Sequence, residues 1–124
     1  MAFEKELLGF YLSEHPLISK LERVKDKITN NIEDLADLET GRRIRIAGGV
    51  VRIKKVNTKR NNSEMIFVTV EDLTGVVECV VFPKIYVQSR SFWFRDSLLL
   101  ISGKIDRRDE RVNILVDSIY PLDL

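Results

Sequence analysis

The sequence predicts a small, mainly β barrel preceded by a short α-helical segment. The spacing of apolar residues changes near Arg42 from about 3.6 to about 2, which is the change from helix to strand. Beyond that point the chain shows five short strand patterns, with one helical pattern between the third and the fourth. A chain of 124 residues, 44% of them hydrophobic, can bury one modest core. We therefore predict a single barrel domain with an appendage.

The part of the chain before the barrel is predicted to be a helical lead-in and a linker. The first helix is predicted from apolar residues at helical spacing: Phe3, Leu7, Leu8, Phe10 and Tyr11. A second helix is predicted from about Pro16 to Ile28, and a short acidic linker follows at 32–40. Residues 1–40 are therefore assigned to the lead-in and residues 41–124 to the barrel domain. A helical pattern that begins directly after Met-Ala indicates an excised fragment.

Five strands are predicted beyond the linker. The first begins at Arg43, is interrupted at Gly48-Gly49 by a bulge or sharp bend, and continues to Val56. The other predicted elements are strands at Met65–Asp72, Val76–Phe82, Ser97–Ile105 and Val112–Tyr120, and a helix from Pro83 to about Phe92. This order is the signature of a five-stranded Greek-key barrel, the OB-fold. Gly103 would lie where the fourth strand must bend.

Charge is distributed unevenly along the chain. The 20 Lys and Arg residues against 19 Asp and Glu residues give a net charge of only +1. Residues 41–60, however, carry eight Lys or Arg residues and no Asp or Glu. A net charge near zero argues against a polyanionic partner, but this local block argues for one. We therefore expect phosphate contacts where the first strand leads into its basic, Asn-rich loop.

The OB-fold predicts where such contacts would lie. In this fold the loops between strands one and two and between strands four and five flank a ligand groove over strands two and three. The basic residues of Asn57–Ser63 and Asp106–Arg111 would then face each other across the groove. Alternation along strands two and three would present five residues to the groove: Phe67, Thr69, Glu71, Glu78 and Val80. The predicted nucleic-acid-binding residues are Arg52, Lys54, Lys59, Arg60, Phe67, Thr69, Lys104, Arg107, Arg108 and Arg111.

Each of these assignments has an alternative. Phe67 could be a stacking platform for an unpaired base, worth about 1–3 kcal/mol per base. Alternatively, it could pack against the N-terminal helices, or the register of the strand could be inverted. The basic loops could equally be solvated hairpin tips. Glu71 and Glu78 would place negative charge on the floor of the groove, so the predicted affinity is weak.

Other functional classes have little support in the sequence. His15 is the single histidine, and its position before Pro16 indicates a helix-junction role. Since metal-ligand spacings and catalytic motifs are absent, no cofactor or metal is expected. Cys79 lies in an apolar run and is predicted to be a small buried hydrophobe. The run 88–94 weakly resembles peptides that dock on sliding clamps, but Phe92 or Trp93 is more simply the plug of the barrel. We expect a cytoplasmic monomer that could dimerise artificially through its N-terminal helices.

A family resemblance extends this prediction. Residues 4–17, EKELLGFYLSEHPL, closely resemble the EKELLGFY-(S/T)-x-HPL signature of bacterial DNA polymerase III alpha subunits, the replicative C-family polymerases. Further motifs similar to the family are Val56-Asn-Thr-Lys-Arg60, Met65–Asp72 with Gly75, Val80-Val-Phe-Pro83 and Leu99–Lys104. One departure is Asn61-Asn62, where the family usually has Gly or a similar small residue.

The resemblance carries functional implications. In the family, this signature leads from the DNA-binding helical region into an OB domain that contacts the single-stranded template ahead of the active site. The contacts it implies here are Lys54, Lys59, Arg60 and Phe67. The catalytic carboxylates of the polymerase lie outside these residues, so the fragment is predicted to have no polymerase activity although its parent is a DNA-directed DNA polymerase. Other polymerase domains and other replisome subunits are the predicted protein partners.

The function predicted from the sequence is therefore the binding of single-stranded template DNA during replication. One alternative is the anticodon-binding OB domain of a class II aminoacyl-tRNA synthetase, in which a Phe at the position of Phe67 stacks on an anticodon base. Those domains commonly carry Gln where this chain has Glu78. A second alternative is an OB module that binds protein alone, which the acidic groove floor and near-neutral pI favour.

Overall fold

Residues 21–122 are described by the computed structural model, and they contain a closed five-stranded barrel. Its elements are β1 (Arg43–Asn57), β2 (Glu64–Glu71), β3 (Val76–Val81), α1 (Pro83–Ser89), β4 (Leu98–Arg108) and β5 (Arg111–Pro121), with 3₁₀ segments at Ile32–Asp37 and Arg90–Phe92. Around the barrel the strands run in the order β1-β2-β3-β5-β4. The β3–β5 pair is parallel and the other pairs are antiparallel. The predicted mainly β OB-fold is confirmed.

The long strand β1 belongs to both halves of the barrel. It pairs with β4 along its first half and with β2 along its second half. A Cβ atom at Gly48 would lie 2.6 Å from the carbonyl oxygen of Glu71, so only glycine allows this close approach. The pairing register shifts between Val50 and Arg52, which places the bulge just beyond the glycine pair rather than within it.

The strand β4 bends at a second glycine, as predicted. The β4–β5 register shifts between Ser102 and Gly103. A Cβ atom at Gly103 would clash with the carbonyl oxygen of Leu115. The bend therefore depends on the missing side chain at this position.

Alternation along the strands fills the barrel with β-branched side chains. On β2 the predicted inward residues Ile66, Val68 and Val70 are fully buried in the core. Cys79 on β3 is also buried, as predicted, and burial together with the Glu78 carboxylate raises the pKa of its thiol well above the usual value.

Trp93, which with Phe92 was predicted as a candidate plug of the barrel, is buried in the core. The ring lies in the core, and its Nε1–H donates a hydrogen bond of 2.9 Å to Oγ of Ser89. That hydroxyl in turn donates to the carbonyl oxygen of Ile85, 2.6 Å away. The tryptophan is thus buried with its one polar atom satisfied, which fits a plug better than a clamp-binding residue.

The acidic segment predicted as a linker contributes to the barrel core. Within its 3₁₀ turn, Ile32 and Leu35 are 5% and 1% exposed and belong to the core cluster. The Ile32 N–H donates to Oδ2 of Asp72 at 3.0 Å. The guanidinium of Arg107 donates to the carbonyl oxygens of Ala36 and Leu38, both at 2.6 Å. The division of the chain at residue 40 stays a prediction, but the segment before it is fastened to the barrel.

The end of the predicted second helix lies on the outside of the barrel. Residues 21–23 are helical and 24–27 form a turn, so the helix ends before Ile28. Val24 packs with Ala47 and Leu100, and Leu21 and Ile28 lie beside them. The predictions made for residues 1–20, namely the first helix, the family signature, His15 and the dimer contact, lie outside the described residues.

Candidate nucleic-acid interface

Strand pairing aligns outward-facing residues of all five strands into two rows that cross the barrel. The first, which we call the apolar row, consists of Lys54, Phe67, Val80, Leu115 and Lys104. The second, the polar row, consists of Arg52, Thr69, Glu78, Asn113 and Asp106. The two rows lie two residues apart on each strand, so they are on the same face of the sheet.

The apolar row places an aromatic ring between two lysines. Phe67 and Leu115 are partly exposed, Val80 between them is 7% exposed, and none of the three belongs to the barrel core cluster. Lys54 and Lys104 are exposed at the two ends of the row. Phe67 therefore lies on the groove face, which is the position that stacking on a base requires.

The floor of the groove is less acidic than the sequence predicts. Glu78 is exposed on the polar row, as expected. The prediction that Glu71 also faces the groove is wrong, because Glu71 is only 1% exposed. It is the last residue of β2, aligned with Gly49 and Val76 at the end of the β1–β2 and β2–β3 pairings. Alternation gives the direction of a side chain but not what packs over it.

The β1–β2 loop is held by its own polar groups. The Thr58 N–H donates to the carbonyl oxygen of Ser63 at 2.8 Å, and the Asn62 N–H donates to that of Thr58 at 2.9 Å. The Asn57 amide donates to Oδ1 of Asn62 at 3.1 Å. Asn62 has a φ of 56°, a conformation that favours glycine and that asparagine adopts more readily than most residues.

The same loop presents its cations to solvent. Lys59 and Arg60 are exposed at its tip, and neither has an ion-pair partner among residues 21–122. The asparagines and threonine around them bond within the loop, so they shape it rather than extend toward a ligand. The loop thus offers two positive charges on a fixed backbone.

The β4–β5 hairpin uses its arginines differently. Its turn is Asp109-Glu110 between the paired residues Arg108 and Arg111, so the strands extend further than predicted. Both turn residues have positive φ, 51° and 68°, as a two-residue type I′ turn requires. These are left-handed conformations that cost side-chain-bearing residues energy.

The three arginines predicted in this hairpin have three different environments. Arg107 is bonded to the 3₁₀ segment, and Arg108 Nε lies 3.6 Å from Oδ2 of Asp106. Of these three, only the Arg111 side chain has neither a hydrogen-bond nor an ion-pair partner among residues 21–122. Among all the predicted cations, those without a hydrogen-bond or ion-pair partner in residues 21–122 are Arg52, Lys54, Lys59, Arg60, Lys104 and Arg111.

The contribution of β5 to this face is not evident from the sequence patterns. Asn113 and Leu115 enter the two rows because β5 pairs in parallel with β3. The Greek-key order of the OB-fold was the signal that could have indicated this pairing. Within residues 21–122, no group of three or more His, Cys, Asp or Glu side chains is placed to hold a metal ion. None of the helices in this range is long and apolar enough to cross a membrane.

The fold and its basic face define a class of protein. Residues 44–122, more than half of the chain, match the family of OB-fold nucleic acid binding domains. The chain therefore belongs to that family.

Over nearly its whole length the chain is also similar to the DNA polymerase III alpha subunits of bacteria. It is 39% identical over 125 residues to DNA polymerase III subunit alpha of Halalkalibacterium halodurans, a match that covers 98% of this chain and 11% of the relative. It is 33% identical over 122 residues to the same subunit of Aquifex aeolicus, covering 97% of this chain and 10% of the relative. The resemblance found in the sequence is confirmed, and the chain spans about a tenth of the length of these relatives.

Solved structures show the same barrel in distant proteins. Asparaginyl-tRNA synthetase of Pyrococcus horikoshii superposes with a TM-score of 0.59 at 17% identity, covering 74% of this chain and 21% of that chain. The mitochondrial single-stranded DNA binding protein Rim1 of S. cerevisiae superposes with a TM-score of 0.54 at 9% identity, covering 68% of this chain and 96% of that chain. At these identities the likeness shows the fold alone.

Proposed function

We propose that this chain is the OB domain of a DNA polymerase III alpha subunit and that it holds single-stranded template DNA across its two rows. The observation that carries the proposal is the apolar row, in which a partly exposed Phe67 lies on the groove face between Lys54 and Lys104. Unpaired bases stack on aromatic rings whatever their sequence, and nearby cations neutralise the phosphates. A duplex keeps its bases stacked inside and cannot use the ring.

The charges around this row support the same interpretation. Lys59 and Arg60 project from one flanking loop, and Arg111 directly follows the turn of the other. Arg52 begins the polar row. These cations have no ion-pair partner in residues 21–122, so binding phosphate would not require an existing pair to break. Since Glu78 lies among them, the affinity expected is modest.

The proposed role is one of binding rather than chemistry. The similarity to polymerase subunits suggests a parent protein that polymerises DNA in the bacterial cytoplasm, together with its other domains and replisome subunits. In that setting, this barrel would hold the unpaired strand while other parts of the parent carry out nucleotide transfer.

The proposal is tested by fluorescence anisotropy with a labelled single-stranded oligonucleotide, beside a matched duplex, at several salt concentrations. Each phosphate neutralised on a single strand contributes about −0.7 to the slope of log K against log salt, so six cations predict a slope of up to about −4. We expect the single strand to bind several-fold more tightly than the duplex. Equal binding of the two, or no binding at low salt, would overturn the proposal.

A further inference from the structure

A cleft of about 410 Å³ opens at the side of the polar row, between the first 3₁₀ segment, β3 and the β4–β5 hairpin. Its lining includes Ile32, Thr69, Glu78, Arg111, Val112 and Asn113. Three of these residues, Thr69, Glu78 and Asn113, are members of the polar row. The cleft therefore adjoins the face proposed to hold the strand, and its volume is in the lower part of the range for small-ligand pockets, roughly 300–1,000 Å³.

The walls of the cleft are held in place by core packing and by hydrogen bonds. Ile32 belongs to the buried core cluster and Val112 packs against that cluster, so the inner wall of the cleft is apolar. The 3₁₀ wall is tied to the hairpin wall by the hydrogen bonds from Arg107 to Ala36 and Leu38. A flat, partly apolar ring could enter this space without the walls having to form around it.

The polar groups at the cleft indicate what kind of ring it would accept. Glu78 is exposed and has no ion-pair partner within residues 21–122, so its carboxylate offers two hydrogen-bond acceptors. Arg111 contributes a positive charge at the rim, and Glu110 a second negative one. In an unpaired strand the Watson–Crick edges of the bases are accessible to such groups.

The four bases meet a carboxylate differently. The Watson–Crick edge of guanine carries two adjacent donors, N1–H and the 2-amino group, which match the two carboxylate oxygens. Cytosine and adenine each offer one amino group beside a ring nitrogen that accepts. Thymine offers one N–H between two carbonyl oxygens, which the carboxylate repels. Paired donors on an ionised acceptor give the strongest of these contacts.

We propose that this cleft takes one unpaired base from the bound strand and that Glu78 selects guanine there. The proposal rests on the proposed function, because a strand must first lie along the two rows. Stacking and phosphate contacts on this face do not distinguish one base from another, and the cleft would add such a preference. Arg111 at the rim would contact a phosphate beside the selected nucleotide.

Competition between two 12-nucleotide strands tests the selection. One is made of thymidine alone, and the other alternates thymidine with deoxyguanosine. We expect the alternating strand to bind about tenfold more tightly, as one bidentate contact allows. The variant Glu78→Gln should bring this ratio close to one, because the amide presents one donor and one acceptor. The matched control is Glu33→Gln, an equal change of charge at an exposed residue of the 3₁₀ segment, which should keep the ratio.

The possible outcomes distinguish guanine selection in the cleft from the strand binding on which it rests. If the wild-type chain binds both strands equally, guanine selection is overturned while strand binding stands. A preference that persists in Glu78→Gln would also overturn it, since another residue would then select the base. If neither strand binds at low salt, the proposed function fails and the base selection fails with it.

Discussion

The two loops that flank the groove have similar numbers of basic residues but use them in opposite ways. The β1–β2 loop is held by the amides and hydroxyls of Asn57, Thr58 and Asn62, and its cations remain exposed. The β4–β5 hairpin instead commits Arg107 to the backbone of the 3₁₀ segment and places Arg108 beside Asp106. A count of charges therefore overestimates what the second loop can offer a phosphate. Whether a basic side chain in a loop is available to bind phosphate therefore depends on whether other groups hold the loop together.

The largest expected effect follows from reversing the charges of the first loop. Lys59→Glu with Arg60→Glu should weaken binding of a single strand by more than about 100-fold at low salt, since two attractions become two repulsions. Anisotropy titration measures the effect. The matched control is Lys84→Glu with Arg95→Glu, two exposed cations outside both rows and both loops. If both double variants lost the same affinity, binding would depend on overall charge alone and the first loop would have no special role.

Substitutions in the β4–β5 hairpin should instead change the stability of the fold. Arg107→Ala removes two charge-assisted hydrogen bonds to carbonyl oxygens, and we expect the free energy of unfolding to fall by about 1–2 kcal/mol. Arg108→Ala, which loses only an exposed ion pair at 3.6 Å, should change it by less than about 0.5 kcal/mol. Urea denaturation followed by circular dichroism distinguishes the two. Equal stability of the two variants would mean that the bonds to the 3₁₀ segment contribute little.

The smallest effect concerns the hairpin turn. Replacing Asp109-Glu110 by Asn-Gly, with Asp109→Asn and Glu110→Gly, supplies the residues that two positive φ values favour. The expected gain in the free energy of unfolding is about 1 kcal/mol or less, because glycine also loses entropy on folding. Loss of two negative charges beside Arg108 and Arg111 should also raise strand affinity a few-fold at low salt. A thermal melt that shows destabilisation would contradict the account of backbone strain.

Local sequence patterns were enough to predict much of the barrel. Alternation along β2 correctly predicted the inward residues Ile66, Val68 and Val70, and the bend of β4 was predicted at Gly103. Both features are determined locally in the sequence. The inward residues follow from the alternation of side chains along a strand, and the bend follows from the missing side chain of glycine. The same logic predicted that Trp93 or its neighbour would plug the barrel.

What the sequence could not predict depends on residues far apart in the chain. Arg107 reaches carbonyl oxygens that are 71 and 69 residues away, so no local pattern distinguishes it from the arginines beside it. Glu71 is buried although it lies on the outward side of β2, and the alternation of a strand does not predict burial on that side. Ile32 and Leu35 stand in an acidic run too short to be recognised as part of a core. The predicted base contacts stay predictions until binding is measured.

The fastening of the 3₁₀ segment has a mechanical consequence. It is fixed at four points: the core through Ile32 and Leu35, the Asp72 carboxylate, the Thr74 hydroxyl, and the guanidinium of Arg107. A force applied along the chain before Ile32 would be transmitted through Arg107 to the β4–β5 hairpin. We therefore expect tension on the chain before Ile32 to load the core and the hairpin together.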